Sequence, residues 1–194
     1  MSATVPAAVQ ATGTRFLQAR NYTRVSAVAP RAISLVVLHS AEAPEKPGKA
    51  FDVARWFAGV DAPQASAHFV VDAGEVVQCV REQDVAWGAP GANRNGLHVE
   101  LVGFARQDPT DWVDTYSAAM LERAAGLVAV LCARYGIPVQ ALDALDLVHG
   151  KRGVTVHAAV STAFHQSTHV DPGPAFPMDA FVARVAAIRR EGRA

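Results

Sequence analysis

Ile33-Ser34-Leu35-Val36-Val37-Leu38, followed at once by His39, is the stretch that decides the fold. A short β-branched and apolar run without alternation marks a strand covered on both faces, as inside a sheet flanked by helices. Downstream, Leu97-His98-Val99-Glu100-Leu101 alternates strictly, sending His98 and Glu100 to one face and Leu97, Val99 and Leu101 to the other. Between them, His68-Phe69-Val70-Val71 and Val76-Val77-Gln78-Cys79-Val80 read as two strands joined by a tight turn at Asp72-Ala73-Gly74. Helical spacing appears over Asp52 to Ala58, with Val53, Trp56 and Phe57 apolar and Gly59 as the stop. It recurs over Tyr116 to Tyr135, where Leu121, Ala124, Ala125, Val128 and Leu131 form a stripe ended by Gly136-Ile137-Pro138. Asp179 to Arg190 is a further amphipathic helix. Strands interleaved with helices predict an α/β domain: a central mixed β-sheet flanked by helices.

Composition bounds the rest. The 194 residues carry 18 Lys plus Arg against 18 Asp plus Glu, so the formal net charge is zero. That length suits one domain of ~100–200 residues. Residues 31–190 are expected to form it, with residues 1–30, which lack periodicity, as an extension packed over it. A neutral chain with no basic cluster lacks the cationic face that nucleic-acid binding requires. Met1 to Gly13 has no positive residue, and Pro6 and Gln10 break its only apolar run, so no signal peptide is read. No membrane association is expected, Leu35–Leu38 being far short of the ~20 residues that span a bilayer. Cys79 and Cys132 have no CxxC neighbour and read as buried thiols.

Seven histidines are the odd feature. His39 ends an apolar strand, which presents its ring at the sheet's edge. Glu100 lies between Val99 and Leu101, and a carboxylate in a central strand must be paired, protonated or functional. His157, His165, His169 and Asp171 then fall within fifteen residues, followed by Pro172-Gly173-Pro174. Zinc takes imidazole and carboxylate ligands, and catalytic sites use three of them plus an open position. His165 and His169 have the i, i+4 spacing of a helical HExxH motif, but Gln166 cannot act as its base, so that motif is rejected. The Asp171-Pro172-Gly173-Pro174 turn instead suits Asp171 as a ligand beside a distant histidine.

Five segments in order carry a family resemblance: Val36-Val37-Leu38-His39-Ser40, Ser66 to Asp72, Gly96 to Gly103, Val156-His157, and His169 to Pro177. Together they resemble the type 2 N-acetylmuramoyl-L-alanine amidases, which share a fold with peptidoglycan recognition proteins. Trp56-Phe57-Ala58-Gly59 and Ser167-Thr168-His169 look like the actinobacterial and actinophage endolysin-type members. The resemblance implies that His39, His157 and Asp171 hold one Zn2+ and that Glu100 acts on the attacking water. It also implies that His169, where many members carry lysine, stabilises the oxyanion. Two further departures are His98, where many relatives have glycine, and Trp87-Gly88-Ala89, where a histidine commonly follows the tryptophan. His68, His98 and Trp87 are expected to contact substrate, with the Ala43–Lys49 and Gly88–Gly96 loops as groove walls. The implied activity is hydrolysis of the amide between N-acetylmuramic acid and L-alanine in peptidoglycan or muropeptides, by a monomer. Synthesis in the cytoplasm is expected, with action on the wall after release, as by a phage lysin, or on cytosolic muropeptides. The competing expectation is a binding module of the same fold without turnover; that class is marked by a lost ligand, and here all three positions are filled.

Overall fold

Alternation, caps and turns build the following elements over residues 14–192, the part of the chain described by this computed structural model. In chain order they are β1 (Arg15–Phe16), β2 (Tyr22–Thr23), β3 (Leu35–Ser40), α1 (Lys49–Ala58), β4 (Phe69–Val71), β5 (Val76–Gln78), β6 (Val85–Ala86) and β7 (Gly96–Leu101). Then come α2 (Thr115–Tyr135), α3 (Ala144–Val148), β8 (Gly153–Val156), α4 (His157–Phe164) and α5 (Met178–Glu191). Six strands form one sheet in the order β1-β5-β4-β7-β3-β8. It is mixed as expected: only the β4–β5 hairpin is antiparallel, while β3 lies parallel between β7 and β8. β2 and β6 make a separate antiparallel pair.

One face of the sheet carries the main core. Val36 and Leu38 from β3, with Leu97, Val99 and Leu101 from β7, are fully buried there with residues of α1, α2 and α5. Leu35 and Val37 point the other way, into a smaller cluster with Ala89, Ala92 and residues of α3 and α4. By length and composition α2 is apolar enough to cross a membrane. Its buried positions, among them Met120, Ala124, Val128 and Cys132, instead face this core. Asp114 caps it by accepting from Ser117 N at 2.7 Å, and Gly136 closes it at φ 61°, the left-handed region that favours glycine. The β4–β5 turn rests on buried Asp72. One of its oxygens accepts from Gly74 N and Glu75 N; the other accepts from Ala50 N, tying down an amide at the start of α1.

Several expectations need adjusting. β3 runs on through His39 to Ser40, because β7 pairs with it in register to Leu101. Residues 1–13 of the expected N-terminal extension lie outside the described residues. Arg15–Phe16 does more than cover the domain, since it adds the sheet's edge strand parallel to β5. β8 and α3 had no sequence signal. The rejection of a helical HExxH stands: α4 ends at Phe164, and His165 caps it in a left-handed conformation with φ 53°.

Candidate active site

The candidate site is built around the C-terminal ends of the parallel strands β3, β7 and β8, where open α/β sheets place their ligands. His39 is the fifth residue of β3, and its Cα partner in β7 is Glu100. Partners in register share a face, so imidazole and carboxylate project together beyond the Leu35–Val37 layer. β8 delivers His157, the first residue of α4. Asp171 follows on the loop after α4, held in place because its carbonyl accepts from Ala158 N at 3.0 Å. Gly173, at φ 94°, lets this loop press on the chain at Ala105; an added Cβ would lie 1.9 Å from the Ala105 carbonyl oxygen.

The three side chains converge. His39 Nδ1 is 3.1 Å from both His157 Nδ1 and Asp171 Oδ2, and His157 Nδ1 is 3.2 Å from Asp171 Oδ1. All three offered atoms lie within 4.8 Å of one another, and all three residues are buried. Two imidazole nitrogens facing one another beside a carboxylate are donors that could hold a metal ion. The far nitrogen of His157 is also satisfied, since Ser167 Oγ lies 3.2 Å from Nε2 and 2.6 Å from Ser161 Oγ. His169 stacks on His157 at 4.5 Å between ring centroids and brings Nδ1 to 3.5 Å from Asp171 Oδ1. Its side chain is 67% exposed, so it faces whatever enters.

Electrostatics separate the groups by role. Burial lowers the pKa of His39 despite the neighbouring Asp171 carboxylate, keeping its ring neutral and able to donate a lone pair. Burial works against the Asp171 carboxylate, but hydrogen bonds from His157 and His39 outweigh it and hold the acid well below its ordinary range. Glu100 is driven the other way. Burial first, then the charges of Asp171 and Glu42, push its pKa up to about 8.

These residues open onto a cleft of about 550 Å³. His39, Glu100, His157, His169 and Asp171 form its floor; Val53, Trp56 and Phe57 of α1 form one wall, with Trp87 and Gly88 also lining it. Trp87 therefore lies on the cleft, its indole Nε1 donating to Thr23 Oγ1 at 2.9 Å. His68 and His98 do not line it. Both are fully enclosed, so the expected direct contact with substrate is corrected: Gly88 packs on the His98 ring, and His68 Nε2 lies against Arg31 and the Asp84 carbonyl. The Ala43–Lys49 loop contributes no wall either, and the Gly88–Gly96 loop contributes only Gly88.

Two cleft residues escaped the sequence reading. In the sequence Trp56 reads only as one of three apolar residues at helical spacing, but it is 56% exposed and lines the cleft. Consecutive aromatics point about 100° apart on a helix, so only one of Trp56 and Phe57 could face the core. Glu42 gave no signal. It sits in the left-handed region at φ 50°, its Oε1 accepting from Ser40 Oγ and Ala105 N at 3.0 and 2.7 Å.

Residues 29–174 match the family model for N-acetylmuramoyl-L-alanine amidases. The chain belongs to that family. Within it, N-acetylmuramoyl-L-alanine amidase A of Achromobacter lyticus is 31% identical over 152 residues, covering 74% of this chain and 78% of that protein. Among solved structures, the amidase-family fold here is similar to that of PlyL, with a TM-score of 0.60 and 15% identity over 90% of this chain and 97% of that one. The Staphylococcus aureus hydrolase AmiA, solved with its ligand, aligns at a TM-score of 0.59 and 18% identity over 85% of this chain and 76% of that one.

Proposed function

We propose that the chain is a zinc-dependent N-acetylmuramoyl-L-alanine amidase, cleaving between the lactyl group of N-acetylmuramic acid and the first L-alanine of the stem peptide. The observation that carries this reading is the buried His39–His157–Asp171 cluster with Glu100 projecting beside it from the same sheet face. A zinc ion held by those three residues supplies a Lewis acid that lowers the pKa of water to ~7 and polarises a carbonyl. Glu100 takes the proton of the attacking water and returns it to the departing alanine nitrogen. His169, exposed and stacked on His157, presents an N–H to the developing oxyanion. Trp56 and Trp87 offer apolar surface to the sugar or stem peptide.

The test is digestion of cell walls and soluble muropeptides by zinc-loaded and chelator-stripped protein, with products read by mass. Released lactyl ends and new L-alanine amino groups, lost on chelation and restored by zinc, are expected. Glu100→Ala should keep zinc and lose about 10²–10⁴-fold in kcat, whereas His157→Ala should lose both. Zinc-loaded protein that frees no L-alanine amino groups defeats the reading.

A further inference from the structure

His98 has no exposure, lies against Gly88 and stacks on His68 with ring centroids 5.7 Å apart. Its two nitrogens have different surroundings. Nδ1 is 3.1 Å from His39 Nε2, whereas Nε2 is buried with no hydrogen-bond partner. The other nitrogen of His39, Nδ1, is the one facing His157 and Asp171.

A neutral imidazole carries one proton, so a His39 whose Nδ1 offers its lone pair to a cation must carry that proton on Nε2. The group opposite is His98 Nδ1. We propose that His98 is the positioning residue of His39: its Nδ1 accepts the Nε2–H of His39, holding that ring in the metal-binding tautomer, and its own proton sits on Nε2. This rests on reading His39, His157 and Asp171 as the zinc cluster.

One geometry serves two proton arrangements, and His98 Nε2 is without a partner in both: a bare lone pair without a cation, an N–H with one. Without a cation, His39 Nδ1–H donates to Asp171 Oδ2 and His98 Nδ1–H donates to His39 Nε2, leaving only a bare lone pair unpartnered. On loading, one proton leaves His39 Nδ1, the bridging proton passes from His98 Nδ1 to His39 Nε2, and one proton joins His98 Nε2. The total is unchanged. At His157 the corresponding partner is the Ser167 hydroxyl, which both donates and accepts and so serves either tautomer. His39 has an imidazole instead, and the two rings must switch together. Outer groups of this kind orient metal-binding histidines and typically change metal affinity by 10–100-fold when removed.

Zinc affinity of the stripped full chain, measured by competition with a chromophoric chelator, compares wild type with His98→Leu and His98→Asn. Leucine fills the site without an acceptor; asparagine returns a carbonyl oxygen near the Nδ1 position. His98→Leu should weaken zinc binding about 10–100-fold and His98→Asn should restore it to within about threefold of wild type. Independently of how the variants fold, long-range ¹H–¹⁵N spectra of histidine-labelled, zinc-loaded wild type should show protons on Nε2 of both His39 and His98. Removing zinc should move both protons to Nδ1. A proton on His98 Nδ1 in the zinc-loaded protein, or a folded His98→Leu that binds zinc as tightly as wild type, overturns the role of His98 alone. Wild type that binds no zinc overturns the cluster reading and this role with it.

Discussion

Zinc loading should expel a proton from Glu100, and the amount can be worked out. In the metal-free protein its pKa is about 8, so at pH 7 the ratio of protonated to ionised form is about 10:1 and roughly 0.9 of a proton is bound. A divalent cation in the His39–His157–Asp171 cluster acts on that equilibrium directly. Even at a separation of about 8 Å and an effective dielectric of about 20, 332 × 2/(20 × 8) gives about 4 kcal/mol in favour of the carboxylate. At 1.36 kcal/mol per unit this is about 3 pK units, enough to return Glu100 to an ordinary carboxylate range and ionise it at pH 7. The same ion would thus convert Glu100 from a neutral acid into the base that the proposed reaction requires. Calorimetric zinc titrations in buffers of differing ionisation enthalpy measure the protons released. Wild type should release about 0.9 more than Glu100→Gln at pH 7, and the difference should shrink to about 0.1 at pH 9, where Glu100 is already ionised. Equal release by both proteins at pH 7 would refute the coupling and remove the reason for a carboxylate at this position.

The enclosed histidines make the metal-free fold acid-labile. Burial, then the charge of Arg31, lowers the His68 pKa from 6.5 to about 3, so its contribution is intact above pH 6.5 and is lost as pH falls towards 3. By pH 5 the loss is at most about 1.36 × 1.5, or about 2 kcal/mol, and urea unfolding of His68→Asn should weaken between pH 7 and 5 by about that much less than wild type; parallel losses would exclude His68 as a source. Gly173→Ala should destabilise the Asp171 turn by a few kcal/mol, because the new Cβ meets the Ala105 carbonyl at 1.9 Å with φ at 94°. Thermal melting and zinc titration should both register it, and a variant that melts and binds zinc like wild type would show that the turn relaxes freely.

How much of this was legible depended on what each residue's signal encodes. The apolar run to Leu38 and the alternation over Leu97–Leu101 place His39 and Glu100 at strand ends, and the turn after Asp171 singles out the third member of the cluster. Alternation states which side of a strand a residue takes, but not what covers that side. His98 and Glu100 share a face, so both read as open to substrate, yet the Gly88 loop seals one and leaves the other on the cleft. β8 escaped because four residues are too few to show a period, although their pairing with β3 is what carries His157 to the site. β1 escaped because its partner lies some sixty residues away and both of its residues are exposed.

The pleat explains why one histidine on β7 is a support and the next polar residue is a reactant. Residues two apart on a strand share a face at a separation of about 6.6–6.8 Å. Glu100 therefore stands level with His39, and His98 one step deeper, level with Val37. A ring on His39 is long enough to bridge those levels: its Nδ1 reaches outward to His157 and Asp171, its Nε2 inward to His98. The cluster thus has a wet side, where Glu100 and His169 meet the cleft, and a dry side sealed by His98, His68 and Gly88. Charge changes belong on the wet side, where water exchanges protons. Tautomer control belongs on the dry side, where no solvent competes for the hydrogen bond.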